Sequence, residues 1–148
     1  MKKILSFSII GCILAITFFS ACNKKDTGVD RKTLLTTGSW KSYQGGMDDN
    51  GNGTWDASER HNIATTDVDT VVFMTDGTGN VSGNLSGLPV TIPFTWLLQN
   101  NDNDIRMITS SGGKADTSFN NIITLTTTDM LFRHSNSSPG SFTSYVKP

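Results

Sequence analysis

Val90-Thr91-Ile92-Pro93-Phe94-Thr95-Trp96-Leu97-Leu98-Gln99 alternates cleanly: Val90, Ile92, Phe94, Trp96 and Leu98 share one face. A period of two marks a strand with one buried side, so this run predicts a core-facing strand. Pro93 has no N–H for a ladder and demands an edge or a bulge. Working outward, similar segments recur at near-regular spacing. Residues 37–44 carry Trp40 and Tyr43, and 68–75 is a β-branched run. Asp76-Gly77-Thr78-Gly79 supplies a tight hairpin turn, since Asp-Gly tolerates the positive φ such turns need. Residues 80–86, 104–109, 118–126, 130–135 and 141–147 follow, with Phe119, Asn121, Ile123 and Leu125 alternating in the third of these. Eight sequential short strands predict an all-β fold, an eight-stranded antiparallel up-and-down barrel, flattened or partly open near Pro93.

The composition agrees. Of 148 residues, 12 are Lys or Arg and 13 Asp or Glu, so the net charge of −1 offers no basic footprint for nucleic acid. One Glu, Glu59, is present in the whole chain, whereas helical surfaces lean on Glu, Lys and Ala. No G-x-S-x-G elbow and no H-E-x-x-H occurs, and His61 and His134 have no zinc spacing. A non-enzymatic role is expected.

The N-terminus reads as a leader. Lys2 and Lys3 precede an uncharged, mostly apolar run at 4–19, too short for a membrane span and followed by small residues. Phe19-Ser20-Ala21-Cys22 resembles a bacterial lipobox, which implies cleavage before Cys22 and acylation of its thiol. Two or more acyl chains meet the requirement for stable anchoring. The expected organisation is a signal peptide at 1–21, lipidated Cys22 and a polar tether through 33, and the barrel domain at 34–148. Removing 21 residues leaves 127, and loss of Lys2 and Lys3 leaves 10 basic against 13 acidic groups, net −3. The expected place is the outer membrane, on its periplasmic or surface side, as a monomer.

One segment carries metal chemistry. Asp48-Asp49-Asn50-Gly51-Asn52-Gly53-Thr54-Trp55-Asp56-Ala57-Ser58-Glu59 fits D-x-[DN]-x-[DN]-G-x5-E at every specified position. Calcium takes six to eight hard oxygen ligands, and a twelve-residue loop wraps it with alternate side chains. Asp48, Asn50 and Asn52 offer side-chain oxygens, Thr54 its carbonyl, Asp56 a direct or water-mediated contact, and Glu59 both carboxylate oxygens. Gly53 supplies the sharp turn. With Asn at two ligand positions, the charge count implies a Kd of about 10⁻⁵ to 10⁻³ M. The flanks are not helical enough for a full EF-hand, so an EF-hand-like loop between barrel strands is expected at 48–59.

The chain also resembles the lipocalin-like lipoproteins of Gram-negative bacteria. Leu34-Leu35-Thr36-Thr37-Gly38-Ser39-Trp40-Lys41 looks like their opening strand, with Gly38-Ser39-Trp40 matching the lipocalin G-x-W. Val72-Phe73-Met74-Thr75-Asp76-Gly77-Thr78-Gly79 looks like their F-x-x-D-G-T hairpin. The resemblance implies that Trp40 packs under the barrel end against a late-strand Arg, for which Arg133 is the candidate. It also implies small-ligand binding without catalysis, with Phe94, Trp96, Phe73 and Phe119 as candidate lining residues. Two readings stay open. One is an anchored binder of a small apolar molecule with a calcium-stapled loop. The other is a filled barrel, a structural or interaction domain whose calcium-ordered loop faces a protein or glycan partner. An interior cavity of about 300 Å³ or more favours the first.

Overall fold

The β-branched and aromatic alternation is used in one antiparallel sheet that closes on itself. The computed structural model describes residues 29–136 and 138–148. The leader, Cys22 and most of the tether lie outside the described residues. The strands are β1 (Ser39–Met47), β2 (His61–Asn62), β3 (Thr70–Phe73), β4 (Thr78–Leu85), β5 (Leu88–Gln99), β6 (Asp104–Ser111), β7 (Lys114–Leu125), β8 (Asp129–His134) and β9 (Ser141–Val146). Pairing of β1 with β9 closes the ring β1-β3-β4-β5-β6-β7-β8-β9. The two-residue β2 sits on Gln44 and Gly45 of β1, extending the place that β3 takes at residues 39–41. The fold is thus a closed eight-stranded antiparallel up-and-down barrel, with one extra short strand.

Pro93 does not break the ring. Trp96 N–H donates to the Gly77 carbonyl on the β4 side. By the two-residue alternation of a strand, the Pro93 nitrogen faces the other way, toward β6. Pairing with β6 begins only at Phe94–Thr109. The β4–β5 hairpin therefore runs past its neighbour, and its end is a free edge rather than a gap in the barrel. For the same reason Val90 and Ile92 point inward but lie above the packed layer, with Ile92 43% exposed.

One barrel end is filled. Trp40, Phe73, Phe94, Trp96, Ile105 and Phe132 are among the buried side chains there, joined by Ile122, Leu125 and Met130. A helix, α1 (Arg31–Thr36), plugs this end with Leu34 and Leu35. This corrects the expectation that Leu34 and Leu35 open the first strand. Asp30 starts the helix by accepting from Thr33 N–H at 3.3 Å, and Gly38 at φ +89° turns the chain into β1. Trp40 does pack under the barrel end, fully buried, with Nε1 donating to the Leu35 carbonyl at 2.9 Å. The cation over it is Lys147, not Arg133: Nζ lies 4.4 Å from the ring centroid and donates to the Leu34 carbonyl.

Strand β7 differs from its sequence reading by one residue. Asn120 and Ile122 face inward, opposite His134 and Phe132. A bulge between Ile122 and Thr124 then brings Leu125 inward as well. Phe119 and Ile123 consequently lie on the outer surface. A single bulge lets residues of opposite parity share a face, which simple alternation cannot show.

Candidate calcium loop

The 48–59 segment leaves the top of β1 and folds back over the outer wall of the barrel. Gly46 makes that crossing possible. A Cβ there would run into the Glu59 carbonyl and the Trp55 indole. Trp55 stacks on Phe142, with centroids 5.8 Å apart and planes 11° from parallel. Arg60 closes over the Trp55 ring at 5.0 Å and donates twice to the Trp55 carbonyl. The loop ends in a single 3-10 turn, η1 (Ala57–Glu59).

Hydrogen bonds within the loop tie Asn50, Asn52, Thr54, Asp56 and Glu59 to one another. Asp48 and Glu59 are buried, 2% and 8% exposed, which is unusual for carboxylates. Glu59 Oε1 accepts from the backbone N–H groups of Asp49 and Asn50, and Oε2 from that of Asp56 at 3.0 Å. Asp56 Oδ2 accepts from both amide groups of Asn50 and Asn52, at 2.9 and 3.0 Å. Those amides, with Thr54, hold the Asp56 carboxyl below the usual carboxylate range. Asn52 Oδ1 accepts from Thr54 N–H and its hydroxyl.

Asp48 is the exception. Its Oδ2 accepts from Gly53 N–H at 2.9 Å and from Arg133 Nη2 at 3.3 Å. Its Oδ1 is buried and has no hydrogen-bond partner. A buried charged oxygen left unmet costs about 1–3 kcal/mol or more. By chemistry alone the loop's donors, three carboxylates, two amide oxygens and a backbone carbonyl, are those a hard cation takes. Among the described residues no group of three or more His, Cys, Asp or Glu side chains is placed to hold a metal ion, so Asp48, Asp56 and Glu59 do not converge on one point as they stand.

Two clefts of about 180 Å³ each flank this loop, both on the outer wall. The first has the cross-strand row Gln44, Ser144, Leu131 and Thr124 as its floor, with Trp55 and Arg60 as one side. The second surrounds Arg133, with Asn121, Ser135 and Gly140.

No family model matches the chain, and no curated protein matches it. Among solved structures the fluorescent protein UnaG is similar at 11% identity and a TM-score of 0.39, over 76% of this chain and 96% of that one. The barrel assignment rests on the strand pairs themselves.

The candidate lining residues divide. Phe73, Phe94 and Trp96 face the interior, where their rings meet edge to face, both pairs at 5.4 Å. They are 1%, 3% and 7% exposed, so their surface is already used on one another. Phe119 is 42% exposed on the outside, a correction that follows from the β7 register. On the β7–β8–β9 side the interior is polar: His134 Nδ1 meets Asn120 Oδ1 at 2.6 Å, and Nε2 meets the Thr143 hydroxyl at 2.9 Å. Burial lowers the His134 pKa.

Sequence reasoning missed two participants. The resemblance pairs Arg133 with Trp40, whereas the structure pairs it with Asp48. Gly46 carried a readable signal, since a glycine inside a strand marks close approach by another segment.

Proposed function

We propose that this protein is a lipid-anchored envelope protein whose filled barrel holds a calcium ion in the 48–59 loop and presents that loop to a partner. The observation that carries the calcium reading is Asp48 Oδ1, a buried carboxylate oxygen with no protein donor. Asp48, Asn50, Asn52, the Thr54 carbonyl, Asp56 and Glu59 would hold the ion. Bound there, it supplies positive charge to three carboxylates and clamps the loop ends together. The packed aromatic layer and the small outer-wall clefts support the filled-barrel form.

Thermal unfolding of the full chain in calcium and in chelator tests it. At a hundred times Kd, linkage contributes about 2.7 kcal/mol, or roughly 10 °C in Tm. Glu59→Gln should abolish the shift. No shift in the wild-type chain, or the same shift in the variant, removes calcium from the account. The anchor has its own test: Cys22→Ser should move the protein from the membrane fraction to the soluble one.

A second reading keeps a small apolar ligand at the barrel mouth. It is favoured by Val81 and Met107, which are only partly buried, and by Ile92, which projects inward while exposed. An apolar dye that brightens on binding, and loses its signal in Met107→Arg, would support this form.

A further inference from the structure

Arg133 stands next to the loop ligands without being one. Its Nη2 lies 3.3 Å from Asp48 Oδ2, the oxygen that also takes the Gly53 N–H. The surroundings are shaped to keep it there. Its guanidinium carbon lies 5.8 Å from the Phe142 ring centroid. Gly140 has no side chain to crowd it; a Cβ there would come within 3.1 Å of Arg133 Nε. Gly53 also lies beside it, its Cβ position being 3.8 Å from Nη1, an ordinary contact distance. The residue reaches the loop from β8, 85 positions away in the chain.

We propose that Arg133 is a built-in counter-cation of the loop, which holds Asp48 in place without metal and weakens the loop's grip on calcium. The inference rests on the calcium reading above. The loop carries three carboxylates, Asp48, Asp56 and Glu59, and Arg133 offsets the charge of the one it pairs with, Asp48. Two consequences oppose each other. Without metal, the ion pair offsets part of the cost of burying Asp48. With metal, the guanidinium repels the ion and keeps one Asp48 oxygen engaged. Arg133 thus narrows the stability gap between the free and loaded loop. It also ties any change at the loop to β8, and so to the wall that floors the first cleft through Leu131.

The test is a calcium titration and a melting curve on the full chain, for wild type, Arg133→Gln, Arg133→Met and Arg133→Lys. Gln and Met should bind calcium about tenfold more tightly, and melt lower in chelator. Their calcium-dependent rise in Tm should therefore exceed that of wild type. Lys, which keeps the charge, should stay within about twofold of wild-type affinity. Unchanged or weaker affinity in both Gln and Met overturns the proposal and makes Arg133 a packing residue. Failure of both to fold even in calcium overturns it in the same way. Absence of calcium binding in the wild-type chain is a different result, since it removes the calcium reading itself.

Discussion

Glu59 is buried, and its two oxygens collect three backbone N–H groups from both ends of the loop. Its importance was legible from the sequence, as the one Glu falls at the closing position of the motif. Gly46 works by absence. Gly46→Ala should cost about 1–3 kcal/mol, because the Glu59 carbonyl cannot move aside without dislodging the loop. Urea denaturation measures the cost, and a red shift of tryptophan emission would report Trp55 leaving Phe142. His134 gives a pH dependence with a definite sign. Burial lowers its folded pKa below the unfolded value of about 6.5. The unfolded chain therefore takes up a proton that the folded chain refuses. Stability from this group is full above about pH 7.5 and falls as pH drops through 6.5, by at most about 1.4 kcal/mol per pH unit. His134→Gln should flatten that loss between pH 7.5 and 5.5, and an unchanged profile would refute the assignment.

At the scale of elements, the β4–β5 hairpin shows how an edge is protected. Its turn, Ser86-Gly87, has φ of 54° and 82°, suited to a two-residue hairpin. Before Phe94, at residues 88–93, β5 has no β6 partner, and its edge-facing positions are 89, 91 and 93. Two of these are prolines, Pro89 and Pro93, so the edge lacks the N–H groups needed to recruit another strand. Pro89→Thr combined with Pro93→Thr should restore them, and size-exclusion chromatography should show new oligomers. A monodisperse double variant would argue against this role. The strands and most turns were legible because alternation and Asp-Gly or Asn-rich turns are local signals. The Asn100, Asn101 and Asp102 turn, all at positive φ, is an example. The inward set of β7 was not legible, because a bulge is decided by the partner strand. The α1 helix was missed because Leu34-Leu35 is too short to declare a period.

For the whole molecule, closure needs both the β1–β9 seam and the plug. Leu35 is fully buried against this end, so Leu35→Ala should cost about 2–5 kcal/mol in a denaturant titration. A loss under 1 kcal/mol would mean that α1 is dispensable to the barrel. The barrel was legible as a count of sequential strands. What fills it was less so, since the packing of Phe73 on Phe94 and Trp96 depends on β3 and β5 meeting across β4. The position of the loop was also hidden: it lies along the outer wall, over Phe142. The proposed calcium site would join these scales, since it would engage one buried oxygen, one loop and, through Arg133 and Phe142, the β1–β9–β8 wall. Isothermal titration of the full chain with calcium tests this most directly. The account predicts one ion per chain with a Kd of about 10⁻⁵ to 10⁻³ M, lost in Glu59→Gln. No binding at millimolar calcium, or equal binding by Glu59→Gln, would contradict it.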